Sequence, residues 1–259
     1  MRVALFAPYL PAPASTGGRI RIHHLARALA EVAELELFAV ADRAELEPET
    51  ARSALEPYAV CHVEAARFRS LPALRRPARV RNATPPALGA AFRRAHASQP
   101  FDVVVAEHCH SAATALDAPG VPLVVDEHNV ESHYIAERDR ARGPLGFWKR
   151  REVALLERWE QRVWRAAREV VCVSEADAER VRSHGGRTPV LIPNGVELAS
   201  VPFCPPSARA GFEVLFVGSM SHPPRLKLVN PSHSPGCGAH VRTRCKRLMR
   251  ASYGCRTTK

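Results

Sequence analysis

Residues 147–192 read FWKRREVALLERWEQRVWRAAREVVCVSEADAERVRSHGGRTPVLI, and their reading decides the fold. Across 147–167, Trp148, Leu155, Leu156, Trp159, Val163 and Ala167 fall on one stripe, the mark of an amphipathic helix laid on a core. The chain then turns apolar and β-branched at 170–173, returns to a charged helical segment at 176–182, and is apolar again at 190–192. Strands that are apolar throughout need cover on both faces, and helices between them supply it. This alternation predicts a parallel sheet.

Working outward, the same alternation recurs. Residues 3–9 read as a buried strand, followed by a Pro- and Gly-rich loop at 10–18. A helix with Ile22, Leu25, Ala26, Leu29 and Ala33 at helical spacing comes next, starting near Arg19. Further strands are predicted at 35–40, 59–63, 102–106 and 121–125. The expected fold class is α/β, a Rossmann-like doubly wound parallel sheet spanning residues 1–192. Residues 193–211, rich in Pro, Ser and Ala, read as a linker, and 212–224 as the start of a second domain, of which only the first strand is expected.

Composition excludes several classes. At 46% hydrophobic, 259 residues can bury a substantial core, and no apolar run approaches the ~20 residues that a membrane-spanning helix needs. Pro8 interrupts the N-terminal apolar run, so a first strand is read rather than a signal peptide, and a cytoplasmic location is expected. The net charge of +11 is concentrated at one end. Nine of the 37 Lys and Arg residues, and none of the 26 acidic ones, lie in 225–259. That segment reads as a basic, disordered tail. Cys61, Cys109, Cys172 and Cys204 are scattered, and Cys61 and Cys172 sit within apolar runs, which suits free thiols in a reducing compartment.

Ligands bind doubly wound sheets beyond the carboxyl ends of the strands, so the polar clusters there are the candidates. Gly17-Gly18 lets a ligand approach the backbone and opens a helix whose N-terminus favours phosphate; a plain turn is the alternative. After strand 102–106 comes Glu107-His108-Cys109-His110, with groups for proton transfer. No second ligand pair stands at metal-site spacing, so no metal is expected. After strand 121–125, Asp126-Glu127-His128-Asn129-Val130-Glu131 offers a dense set of hydrogen-bonding groups suited to a polyhydroxylated ligand. Its alternative is a helix-capping network with Asp126 or Asn129 as cap. Ser174-Glu175-Ala176-Asp177 reads as a structural capping box.

In this order the segments resemble the GT4 family of glycosyltransferases. The resemblance rests on Pro11 and Pro13 leading to Gly17-Gly18 and Arg21, on 126–131, on Val171-Cys172-Val173-Ser174-Glu175, on Ile192-Pro193-Asn194-Gly195-Val196, and on 214–220. It implies a GT-B fold, in which the N-terminal domain holds the acceptor and a facing domain holds a nucleotide-sugar donor. It implies transfer with retention of configuration and no cofactor or metal beyond the donor itself. It places Gly17, Gly18 and Arg21, with Glu127, His128, Asn129 and Glu131, among the substrate-binding residues. A histidine that the family carries beyond its fourth or fifth strand falls here in register with Glu107, with His108 beside it, and these two are the catalytic candidates.

The chain departs from that pattern after 224. The family's basic pair and its two glutamates seven residues apart have no counterpart, since 225–259 contains no glutamate. A shifted reading frame is the expected origin of that tail, and no transfer is expected from this chain alone. The implied partners are a nucleotide sugar and a glycan or lipid-linked acceptor, a membrane surface approached through the Arg-rich helix, and a separately encoded C-terminal domain. The competing reading is a non-catalytic module whose tail contacts nucleic acid or anionic lipid; no recognisable nucleic-acid fold accompanies the charge.

Overall fold

The computed structural model describes residues 1–42, 45, 56–66, 76–118, 120–138, 143–196 and 198. The chain divides into two units, Met1–Phe212 and Glu213–Lys259. Apart from 193–196 and 198, the expected linker, second-domain start and basic tail lie outside the described residues.

Among the described residues seven strands form one sheet: β1 (Arg2–Ala7), β2 (Glu34–Ala41), β3 (Val60–Ala65), β4 (Val103–Glu107), β5 (Leu123–Glu127), β6 (Glu169–Cys172) and β7 (Val190–Leu191). Their order is β3-β2-β1-β4-β5-β6-β7, and every neighbouring pair is parallel. All seven lie where the apolar runs predict them. The described α-helices are α1 (Gly17–Ala30), α2 (Ala78–Ala83), α3 (Pro86–Ser98), α4 (Ala113–Leu116), α5 (Glu131–Arg138), α6 (Gly143–Ala166) and α7 (Glu175–Ser183). Among the described residues no helix is long and apolar enough to cross a membrane.

Alternation along the strands sorts the core into two layers. Val3, Leu5 and Ala7 of β1 join Leu35, Leu37, Ala39 and Ala41 of β2 on the face covered by Ile22 and Ala26 of α1. Phe6, Phe38, Val104, Ala106 and Val125 point the other way, against Phe92 of α3, Trp159, Val163 and Trp164 of α6, and Ala178 and Val181 of α7. Phe6 stacks on Phe38 at 4.9 Å between ring centroids. The two-sided cover is why these strands show no polar alternation in sequence.

Two boundaries differ from the sequence expectation. Strands β4 and β5 run on to include Glu107, Asp126 and Glu127, so these carboxylates are strand residues rather than loop residues. Helix α1 begins at Gly17, two residues before the start expected at Arg19. Helices α2, α3 and α4 carry no expectation, and α5 only through the alternative reading of 126–131 as a capping network. In α3 the apolar spacing is present in Leu88, Ala91, Phe92 and Ala95, but alanine and arginine give it little contrast.

From β1 the sheet grows one way to β2 and β3, and the other way through β4 to β7. The connections after β1 and β4 therefore leave toward opposite faces, and a crevice opens between their carboxyl ends. Candidate residues from four separate segments meet there.

Candidate functional site

The crevice starts at α1. Its N-cap, Thr16, is extended and makes no side-chain cap bond, and no acidic residue stands in the first turn. The first-turn N–H groups and the positive end of the helix dipole are therefore left to a ligand. Gly17 meets nothing within 4 Å of where a Cβ would lie. Gly18 is different: a Cβ there would sit 2.2 Å from the Tyr9 hydroxyl and 3.3 Å from His128 Nδ1. An alanine fits there only if the Tyr9 hydroxyl, the far end of a side chain, moves aside. Gly18→Ala is accordingly expected to displace Tyr9 and His128 and to weaken ligand binding about ten-fold with a small change in stability. A titration of the variant beside the native chain checks it.

Beneath the glycines lies a buried ion network. The Arg21 guanidinium donates twice to Asp126, with Nε to Oδ2 and Nη2 to Oδ1 both at 2.7 Å. Its third nitrogen donates to the Ile192 carbonyl (2.9 Å) and to Asn194 Oδ1 (3.2 Å). His128 Nε2 lies 2.9 Å from Glu107 Oε2 and 3.4 Å from Asp126 Oδ2. Burial disfavours charge on His128, but the hydrogen bonds to Asp126 and Glu107 outweigh it and push its pKa up to about 9. Burial raises the pKa of Glu107, with the His128 bond opposing it. Burial also works against the Asp126 carboxylate, yet its bonds to His128 and Arg21 hold it below the usual range. Near neutral pH the Arg21 guanidinium, the Asp126 carboxylate and the His128 imidazolium are charged, while burial holds Glu107 close to its midpoint, at about 7.

One donor of that network is left over. His128 Nδ1 is buried, faces the first turn of α1, and has no hydrogen-bond partner among the described residues. In the imidazolium form it carries a proton, so it is a charged donor awaiting an acceptor. The atoms of Glu107, Asp126 and His128 lie within 4.8 Å of one another and are of metal-ligating type. Arg21 and the His128 proton already neutralise both carboxylates, which leaves a cation little charge to gain.

His108 closes the crevice on the β4 side. Its φ of 65° and ψ of 146° lie where side-chain-bearing residues are rarely found, a conformation that costs of order 1–3 kcal/mol. Its N–H donates to the Asp126 carbonyl at 2.9 Å. The His108 ring lies 4.1 Å from the His128 ring and 4.9 Å from that of His110, and its Nε2 is 3.4 Å from the Tyr9 hydroxyl. Burial first, then the positive charge of His128, drives its pKa well down, so His108 is neutral. His110 is pushed down to about 3 by burial and by Arg79 and His128.

The structure thus brings Gly17, Gly18, Arg21, Glu107, His108 and His128 together. The remaining expected residues go elsewhere. Glu127, placed by sequence among the ligand-binding groups, turns into the core because side chains alternate along β5 and Asp126 takes the crevice side. It accepts the Trp164 indole N–H at 2.8 Å, and burial and Glu160 push its pKa up to about 8. Asn129 and Glu131 pair with one another at 2.8 Å, and Arg79 lies 3.0 Å from Glu131. Neither Asp126 nor Asn129 caps α5. That end is held by carboxylates from afar: Val130 N–H donates to Asp177 (3.4 Å) and Ser132 N–H to Glu160 (3.0 Å). Tyr9 is the site residue missing from the sequence reading, which ends the first strand there; Asp126, named within the 126–131 cluster, is absent only from the substrate-binding set that the resemblance implies. An aromatic two residues past β1 was the available signal for Tyr9.

The family model described as Glycosyltransferase Family 4 matches residues 15–200. No curated protein sequence matches the chain. Among solved structures it is similar to sucrose-phosphate synthase from Thermosynechococcus elongatus, with 15% identity, a TM-score of 0.51, and coverage of 77% of this chain and 49% of that one. It is also similar to HepE of Anabaena, solved in complex with UDP-glucose, with 16% identity, a TM-score of 0.46, and coverage of 79% and 47%. The chain spans about half the length of these relatives. At 15% identity the likeness to the synthase speaks for the fold alone. With the family model covering most of the parallel sheet and its crevice, the chain belongs to Glycosyltransferase Family 4.

Proposed function

We propose that this chain is the acceptor-binding half of a retaining, nucleotide-sugar-dependent glycosyltransferase that builds a glycan, glycolipid or polysaccharide. The observation that carries the reading is the charged, partnerless Nδ1–H of His128 facing the uncapped first turn of α1. Sugar transfer develops negative charge on a departing diphosphate, and fixed donors in a water-poor crevice stabilise such charge strongly. The N–H groups at Gly17 and Gly18 and the His128 imidazolium are those donors. Glu107 acts through His128 as a positioning residue, holding the ring and its proton. Neutral His108, beside Tyr9, is the group that receives an acceptor hydroxyl.

The two glutamates that the family resemblance assigns to the donor's sugar and ribose have no counterpart in 225–259, so the donor groups read here are those that face its diphosphate. A lipid-linked acceptor would bring the protein to a membrane surface on the cytoplasmic side. No cofactor or metal enters this scheme.

Calorimetric titration of the full chain with nucleoside diphosphate sugars and with pyrophosphate tests the reading. Saturable binding is expected, weaker by about ten-fold or more in His128→Gln because a charge-assisted bond is lost. Arg94→Ala, on the exposed side of α3, is expected to bind like the native chain. Absence of saturable binding, or equal binding by His128→Gln, overturns it.

A further inference from the structure

Phe147 and Trp148, near the start of α6, are 57% and 47% exposed and meet edge to face at 5.7 Å. Large aromatics are rarely left paired and exposed without a partner. Their surroundings are basic: Lys149, Arg150 and Arg151 follow directly, and the Arg151 guanidinium sits 5.8 Å from the centre of the Trp148 ring. The charge continues along the helix. At 3.6 residues per turn, Phe147, Arg151, Arg158, Arg162 and Arg165 lie within about 60° of one another, centred roughly 130° round the helix from the core stripe of Leu156, Trp159 and Val163, with Trp148 between the two.

The acids of α6 do not offset this stripe. Glu160 is buried against Ser132, and Glu152 accepts the Ala78 N–H. Glu157 is the acid left facing outward, 3.7 Å from His184. An aromatic pair at one end of an arginine-lined helix face matches the interface of an anionic bilayer, where rings sit at headgroup depth and guanidinium groups meet phosphates.

Topology gives that surface a direction. All strands are parallel and β6 starts three residues after α6 ends, so α6 finishes at the amino edge of the sheet. Its beginning, with Phe147 and Trp148, therefore lies toward the carboxyl edge, where Gly18, Glu107 and His128 sit. We propose that the outward face of α6 docks the protein on an anionic lipid surface, with Phe147 and Trp148 inserted and the arginines over the headgroups. The purpose of this docking, presenting a lipid-linked acceptor to the crevice, rests on the function proposed above; the docking itself is measured without any transfer.

The test uses the full chain and vesicles of phosphatidylcholine with and without phosphatidylglycerol. Of the three tryptophans, Trp159 and Trp164 are buried, so Trp148 reports on the surface. With anionic vesicles its emission is expected to shift to the blue and to be quenched by brominated acyl chains, and Trp148→Phe should abolish both signals. Phe147→Ser, and separately Arg158→Glu with Arg162→Glu, are expected to lower partitioning about ten-fold. Sedimentation with vesicles while Trp148 stays unshifted and unquenched would assign binding to the basic 225–259 segment and overturn the proposal. So would a dimer that Phe147→Ser dissociates, which would make this face a contact between copies. Either failure leaves nucleotide-sugar binding at His128 untouched, so the two readings fall separately.

Discussion

Arg21→Met is expected to lower the unfolding free energy by about 3–5 kcal/mol, the usual consequence of removing one partner from a buried ion pair. The native guanidinium makes two 2.7 Å bonds to Asp126 and one each to the Ile192 carbonyl and Asn194. Methionine fills much of the volume but supplies no donor. The Asp126 carboxylate would then stay buried with His128 as its one remaining cationic partner. Asp126→Leu in the same chain removes that stranded charge, so the double variant is expected to be less damaged than the additive sum. Urea denaturation of the four chains in the cycle measures this. A loss below about 1 kcal/mol in Arg21→Met, the size of an exposed pair, would show that the network is solvated.

Stability is also expected to fall as pH rises from 6.5 to 9. Glu127 is pushed from 4.5 up to about 8 and Glu160 up to about 7, in both cases chiefly by burial. His128, despite its burial, is pushed from 6.5 up to about 9 by Asp126 and Glu107. In each case the native chain keeps a proton that the unfolded chain has released, and this stability disappears as pH climbs through the native value. His108 and His110 are shifted downward and stay neutral in the native chain across the window, so each adds only a small opposing slope that ends about one pH unit above 6.5, as the unfolded imidazoles lose their protons. At roughly 1.4 kcal/mol per proton per pH unit, Glu127 contributes about 2 kcal/mol across this window and His128 a comparable amount. Glu127→Gln keeps an acceptor for Trp164 and cannot ionise, so its stability should vary less with pH. Equal slopes in the two chains would mean that Glu127 is ionised in the native state.

The two predictions differ in how far the sequence leads to them. Arg21 belongs to the motif 11–21 and Asp126 to the cluster 126–131, and both segments stand out without coordinates. Their pairing does not, because 105 residues separate them and the register of β1 against β4, and of β4 against β5, decides the contact. Glu127 is the sharper case. Neighbouring acids in one polar cluster look alike in sequence, yet extending β5 by two residues sends Asp126 to the crevice and Glu127 to the core.

Periodicity alone determined the seven strands, the parallel sheet and the amphipathic α6, since burial on both faces forces apolar strands and striped helices whatever the neighbours are. The helices that periodicity missed are α2, α3, α4 and α5. Three are shorter than nine residues, and α3 has an alanine-rich stripe of low contrast; α5 takes its capping carboxylates, Glu160 and Asp177, from other helices. Only the tertiary structure decided which candidates face one another. Charge state and orientation at the crevice come from burial and from partners distant in sequence: His128 is an imidazolium because Glu107 and Asp126 surround it, and His108 is neutral because the same fold buries it beside that charge.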